Sequence, residues 1–307
     1  MVRLTILGSG SSGNCAVIST ERTTLLLDAG LSAKQICLRL DACGFSLDML
    51  DGILLTHEHQ DHVGGIEVLS RKKQVPLFCT ALTQETLAGS LQFRTPPSWR
   101  LITTGSAFEF QDLRIESFPV PHDAVDPVGF VIADEESRLG VLSDVGFVTN
   151  LIKDRLRNSD SLFIEANYDT QLLENDTKRP WATKQRISSR HGHLSNEQAA
   201  ELVREVAHPG LSHVVLGHLS DDCNDPATAA RHIRQALDAV GAKEARVVCA
   251  ERHKPTPTLE VVRPRRSASV SFCFAAFLPS CSWPVSGWRG GFSGVLRRPR
   301  CVRPRWR

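Results

Sequence analysis

Short apolar runs broken by turn residues fill the first 262 positions, and they alternate with segments of helical period. Residues 4–7, 16–19 and 24–27 predict three strands joined by short turns. Residues 32–43 predict a helix with Ser32 as its N-cap. Residues 52–56 are a short apolar run, the pattern of a buried strand, and a histidine-rich segment follows at once. A helix over 64–73 and a strand over 76–79 come next. Residues 108–110, 113–118, 129–132 and 139–142 predict a strand-rich stretch, then a helix over 147–157 and a strand over 161–164. Residues 195–207 predict a helix whose start, Ser195 with Gln198 three places on, has the form of a capping box. Residues 214–216 predict a strand ending at Gly217-His218; residues 226–240 predict a helix with Pro226 in its first turn. Residues 245–248 predict a closing strand. Strands followed by helices, twice over, predict an α/β fold of two mixed sheets packed together with helices outside. Sites in such layered folds collect where strands end and loops begin.

Composition changes this picture at one place. The net charge of +2 hides ten arginines in residues 263–307, where Lys, Asp and Glu are absent. Without those ten, residues 1–262 carry a charge of −8. The sequence thus divides into an acidic domain, 1–262, and a tail, 263–307, rich in Arg, Pro, Ser, Gly and Trp. The tail reads as a disordered extension or an out-of-frame end; the competing reading is a basic nucleic-acid-binding arm. Its apolar patch, 270–278, falls short of the roughly 20 residues that span a bilayer. The N-terminus lacks the basic region, apolar core and cleavage site of a signal peptide. The nine cysteines are scattered without a CxxC pair, which argues against a disulfide framework or a thiolate zinc site. A cytoplasmic protein with no membrane association is expected.

The strongest chemical signal is the pattern HxHxDH: His57, His59, Asp61 and His62. A divalent metal needs imidazoles or carboxylates converging within about 2.0–2.2 Å. A short loop after a strand can aim His57 and His59 at one metal and turn Asp61 and His62 to a second. The alternative, a solvated polar loop, does not account for four potential ligands in six residues.

The segment from Thr56 to His62, following an apolar strand, resembles the signature of the metallo-β-lactamase superfamily. The resemblance covers about residues 1–262 and implies an αββα four-layer sandwich with its site at the edge between two mixed sheets. It also implies further ligands. His122 after Pro121, Asp144 after Ser143 and His218 after Gly217 stand in the implied order at strand ends. The family pattern places His57, His59 and His122 on one metal. It places Asp61, His62 and His218 on the other, with Asp144 bridging. Asp28 matches an early aspartate that supports a ligand histidine rather than binding metal.

Four further segments resemble the YycJ/WalJ branch: Gly8 to Cys15, Pro121 to Ala124, Phe163 to Asp169 and His191 to Asn196. That branch is related to PhnP-type cyclic phosphodiesterases and ribonuclease Z. Gln60 stands where many branch members carry Ser, at a position that is not a ligand. The resemblance implies phosphodiester hydrolysis at nucleic-acid ends, or of a small phosphodiester, through a metal-bridging hydroxide. The cofactor would be two divalent ions, Zn²⁺ or Mn²⁺, since the ligand set holds no sulfur. Asp61 would orient the nucleophile and His193 would protonate the leaving group, with His191 a candidate substrate contact. A thioesterase or lactonase on the same fold is the alternative; a non-catalytic metal-binding partner protein is the reading from another class. Oligomeric state is not legible.

Overall fold

The computed structural model describes residues 1–262, and the expectations for residues 263–307 lie outside them. The first half of the chain builds one sheet. Its strands are β1 (Arg3–Gly8), β2 (Cys15–Ser19), β3 (Thr24–Leu27), β4 (Gly52–Leu54), β5 (Pro76–Thr80) and β6 (Ser98–Ile102). Between them run α1 (Ala33–Ala42), α2 (Gln60–Val63), α3 (Ile66–Lys72) and α4 (Ala81–Ser90). The second half builds the other sheet from β7 (Ala107–Phe110), β8 (Leu113–Pro119), β9 (Val128–Ala133), β10 (Arg138–Leu142), β11 (Ser161–Glu165), β12 (His213–Gly217) and β13 (Arg246–Cys249). Its helices are α5 (Asn150–Leu156), α6 (Thr170–Asn175), α7 (Trp181–Ile187), α8 (Asn196–Val206) and α9 (Pro226–Ala239). Finally β14 (Leu259–Glu260) returns to pair with β1 in the first sheet.

Each sheet begins as an antiparallel meander and continues as parallel strands. β1 to β3 pair antiparallel, then β3 to β6 pair parallel. β7 to β10 pair antiparallel, then β10 to β13 pair parallel. The two-residue side-chain period sorts each strand between two cores. Leu25 and Leu27 point between the sheets, where they join Phe130, Ile132 and Val215. Leu26 points the other way, to Ile36, Leu40 and Ile66 of the flanking helices. In the second sheet Val215 faces the partner sheet, while Val214 and Leu216 face Val203 and Ile233. Full burial of each such side chain contributes about 1.5–3 kcal/mol. The result is two mixed sheets flanked by helices, the α/β four-layer architecture expected.

The departures from expectation have local causes. The helix expected over 64–73 starts at Ile66, because the Gly64–Gly65 backbone packs onto the loop after β3. There Gly65 N–H donates to Ala29 O at 2.7 Å. The helix expected from 147 starts at Asn150, where the Thr149 hydroxyl caps Ile152 N–H. Helices α4, α6 and α7 and strand β6 lacked a sequence signal; α7 buries none of its residues, so no apolar stripe marked it. The capping box of Ser195 and Gln198 is present as read. Such a cap contributes about 1 kcal/mol.

Candidate metal centre

Most candidate site residues sit at or just beyond the C-terminal end of a strand; Asp61 and His62 lie in α2, and His191 and His193 in the loop after α7. Asp28 follows β3, Thr56 and His57 follow β4, and His122 follows β8. Asp144 follows β10, Glu165 ends β11, and His218 follows β12. Three of these turn the chain through the left-handed region, with φ of 57° at Asp28, 50° at Asp144 and 53° at His218. Such backbone costs energy in a non-glycine residue and persists where the surroundings enforce it. Here it swings each side chain out of its strand and toward one point. Gly30 lets two loops meet there, since a Cβ on it would lie 1.6 Å from Asp61 O.

Two groups of ligand atoms converge. One is His57, His59 and His122; the other is Asp61, His62, Asp144 and His218. The carboxylate of Asp144 stands between them. Its Oδ2 lies 3.9 Å from His57 Nε2, 3.3 Å from His62 Nε2 and 3.7 Å from His122 Nε2. Its Oδ1 lies 3.3 Å from His218 Nδ1. Asp61 Oδ2 lies 3.6 Å from His62 Nε2 and 3.4 Å from His218 Nε2.

The outer nitrogen of each ring is tied down, and this assigns the tautomers. The Thr56 hydroxyl donates to Asp28, at 2.9 Å from Oδ2, so at 2.9 Å it accepts from His57 Nδ1–H. His62 Nδ1–H donates to Asp28 Oδ2 at 2.8 Å. His59 Nε2–H donates to Asp123 O at 3.2 Å, His122 Nδ1–H to Gly192 O at 3.0 Å, and His218 Nδ1–H to Glu165 Oε1 at 3.0 Å. The five inner nitrogens face into the cluster. Those of His59 and His122 face each other at 3.3 Å. The inner Nε2 atoms of His57 and His218 are buried with no hydrogen-bond partner among the described residues. Imidazole nitrogens and carboxylates brought together in this way fit a divalent metal.

The same packing sets the charges of the metal-free chain. Burial, with His62 beside it, pushes the His57 pKa well below its usual value. Burial also opposes charge on His218, yet the carboxylates of Asp144, Asp61 and Glu165 raise it to about 10. Burial likewise opposes charge on His62, but Asp144 and Asp28 hold it well above the usual value. Against the same burial, His218 and His62 hold Asp144 well below the carboxylate range.

His193 stands beside this cluster. Its ring centroid is 5.2 Å from that of His122 and 5.0 Å from that of His218. His191 stands apart; it is exposed, and its carbonyl accepts from Asp123 N–H at 3.0 Å.

Sequence reasoning missed three participants. Glu165 is buried, and its Oε1 holds both His193 Nδ1 at 2.6 Å and His218 Nδ1 at 3.0 Å. Asp144, Glu165, His193 and His218 could also converge on an ion by distance alone. Glu165 Oε2, however, is occupied by the backbone N–H groups of Val145 at 2.9 Å and Leu194 at 3.4 Å. Its oxygens are thus spent on orienting protein groups. Asn14 takes Ser9 Oγ–H and Gly10 N–H on its Oδ1, and sets its amide 3.4 Å from Asp61 Oδ2. That gives the glycine-rich loop a role as a brace for Asp61. Thr56 is the third, linking Asp28 to His57. A buried acid closing an apolar strand was the available signal for Glu165. A 450 Å³ cleft lined by Ser11, Ser12, Gln60 and Asp61 among others opens beside the cluster.

With this geometry in place, similarity to known proteins becomes informative. Residues 23–219 match the model of the Beta-lactamase superfamily domain. The chain belongs to that superfamily. The exodeoxyribonuclease YycJ of Bacillus anthracis is 33% identical over 244 residues, covering 78% of this chain and 90% of that relative. The exodeoxyribonuclease WalJ of Streptococcus pneumoniae is 37% identical over 224 residues, covering 72% and 83%. Among solved structures, the metallo-β-lactamase fold protein YhfI of Bacillus subtilis superposes with a TM-score of 0.63 at 16% identity. That match spans 83% of this chain and 98% of YhfI, and it supports the fold alone. Among the described residues no helix is long and apolar enough to cross a membrane.

Proposed function

We propose that residues 1–262 form a dinuclear metal-dependent phosphodiesterase that acts as an exonuclease on DNA ends. The observation that carries the metal reading is the convergence of two adjoining groups of ligand atoms, His57, His59 and His122 in one and Asp61, His62, Asp144 and His218 in the other. The DNA reading is carried over from the named activity of the YycJ and WalJ relatives. His57, His59 and His122 would hold one ion, and Asp61, His62 and His218 the other, with Asp144 shared. The all-nitrogen-and-oxygen set suits Zn²⁺ or Mn²⁺. When bound, the ions supply an acidified water and neutralise charge on the phosphoryl oxygens.

The chain's own groups do the rest. Asp61, braced by Asn14, orients the attacking water. His193 protonates the leaving oxygen. Burial opposes its charge, but Glu165 raises its pKa, so the imidazolium is available near neutrality. Glu165 fixes the proton on Nδ1, which leaves Nε2 to face the substrate. A positioned general acid contributes about 10²–10⁴-fold. The described cysteines are free thiols, which suits a reducing cytoplasm.

The test is a screen of the full chain, loaded with Zn²⁺ or Mn²⁺, on end-labelled DNA and RNA, a bis-aryl phosphate, a thioester and a lactone. Release of mononucleotides from DNA ends is expected. Faster turnover of the thioester or lactone than of any phosphodiester would overturn the reading.

A further inference from the structure

The segment that delivers His193 to the metal centre carries a surface that the hydrolytic chemistry does not use. Residues 176–193 hold five basic side chains and one acidic one, in a described body whose charge is −8. Asp222 lies 2.5 Å from Lys178 and 3.0 Å from Arg179, and Asp176 lies 2.8 Å from Arg179. Those two cations are therefore neutralised within the fold. Lys184 and Arg190 make no ion pair among the described residues, and Arg186 pairs through its Nε with Asp123.

The same segment carries an aromatic ring. Trp181, the first residue of α7, is 71% exposed. A tryptophan so open gives up much of its burial free energy, and it calls for an explanation where isolated small apolar residues do not. Phe147 is 40% exposed, with the Arg190 guanidinium 4.0 Å above its ring. The segment is held firmly to the metal loops. His193 N–H donates to Ile187 O at 2.8 Å, and His122 Nδ1–H to Gly192 O at 3.0 Å. A Cβ on Gly146 would lie 2.5 Å from the backbone of Arg190 and Gly192, so the loop lies directly against the turn after Asp144. Arg186 reaches Asp123 Oδ2 at 2.6 Å, and Asp123 Oδ1 is 3.2 Å from His122 Nε2. Basic groups that track a phosphate backbone, together with an aromatic face that accepts any base, are what a single strand of nucleic acid requires.

We propose that α7 and the loop after it, Trp181 to Arg190, seat the single-stranded DNA segment that leads to the metal centre. Trp181 stacks on an unpaired base, and Lys184 and Arg190 meet the phosphates. The proposal rests on the exonuclease reading and names the contact that reading lacks. It gives an acidic protein body a local purchase on a polyanion. It also favours a frayed or single-stranded end over a closed duplex, because a paired base offers no free face to Trp181.

The test compares the metal-loaded full chain with Trp181→Ala, Trp181→Phe and the double variant Lys184→Ala/Arg190→Ala. The substrates are a labelled single-stranded DNA 15-mer and a bis-aryl phosphate. Trp181→Ala should raise KM for the 15-mer about 5- to 100-fold more than KM for the bis-aryl phosphate, with Trp181→Phe recovering most of it. The double variant should lower the slope of log affinity against log salt by about 1.4, the share of two phosphate contacts. DNA turnover by the parent chain, with the variants matching it on both measures, overturns the seat and leaves the exonuclease reading standing. A parent chain that cuts the bis-aryl phosphate but neither binds nor cuts DNA overturns both. Equal affinity for an acidic peptide of matching charge, lost in the same variants, overturns the DNA assignment in favour of a protein partner.

Discussion

The Nδ1 atom of His193 lies 2.6 Å from Oε1 of Glu165, a carboxylate with no solvent exposure. The same oxygen lies 3.0 Å from His218 Nδ1. One buried acid thus sets the tautomers of two imidazoles with different proposed duties, one to hold metal and one to move a proton.

Glu165→Gln keeps the shape and removes the charge. His193 should then lose the influence that raises its pKa, and the alkaline limb of the pH–rate profile, where the general acid loses its proton, should move to lower pH. His193→Ala should cost about 10²–10⁴-fold on a substrate with an alkoxide leaving group. It should cost far less on an aryl phosphodiester, whose leaving group needs no proton. Equal losses on both substrates, with metal content intact, would remove His193 as the general acid.

Asp61→Ala removes the carboxylate held between His62 and His218 and braced by Asn14. Turnover of any phosphodiester should fall at least about 10²-fold in a variant that still unfolds cooperatively. Unchanged turnover in a folded variant rejects the assignment.

How legible these features were depended on how each residue earns its place. The strands of both sheets, β6 and β14 apart, showed because each carries apolar residues to a core, as Leu25, Leu26 and Leu27 do to two cores in turn. His57, His59, Asp61 and His62 showed because one loop carries them all. His122, Asp144 and His218 became readable only through the family resemblance, since a single strand-end residue has no spacing to betray it. Glu165 had a motif around it but no visible role, because its partners lie 28 and 53 positions away. Helices α6 and α7 stayed hidden because they bury little; Leu173 is the buried residue of the first, and the second has none.

Asp28→Asn tests the support beneath the ligands. Asp28 Oδ2 takes the His62 Nδ1 proton at 2.8 Å, and Oδ1 takes Thr56 N–H at 2.8 Å. An amide can offer only one acceptor oxygen to these donors. Metal affinity should weaken about 10–100-fold, read by competition with a chromophoric chelator. An unchanged affinity would mean that His62 is oriented by its packing alone.

Metal uptake should release protons, and its strength should rise with pH. In the metal-free chain burial opposes charge on His218, but Asp144, Asp61 and Glu165 raise its pKa to about 10. The unfolded value is about 6.5. This raised pKa therefore stabilises the metal-free fold fully below pH ~6.5, and that contribution is lost as pH climbs through about 10. A metal needs the neutral ring, so binding must displace the proton across that window. Asp144 and Asp61 are held below the usual carboxylate range and have no proton to give up near neutrality. The gap in melting temperature between metal-loaded and chelator-stripped protein should consequently widen from pH 6 to pH 8. Calorimetric titration in buffers of different ionisation enthalpy should register the released proton. A gap that narrows over that range, or uptake without proton release, would show that His218 is not displaced from its carboxylates by the metal.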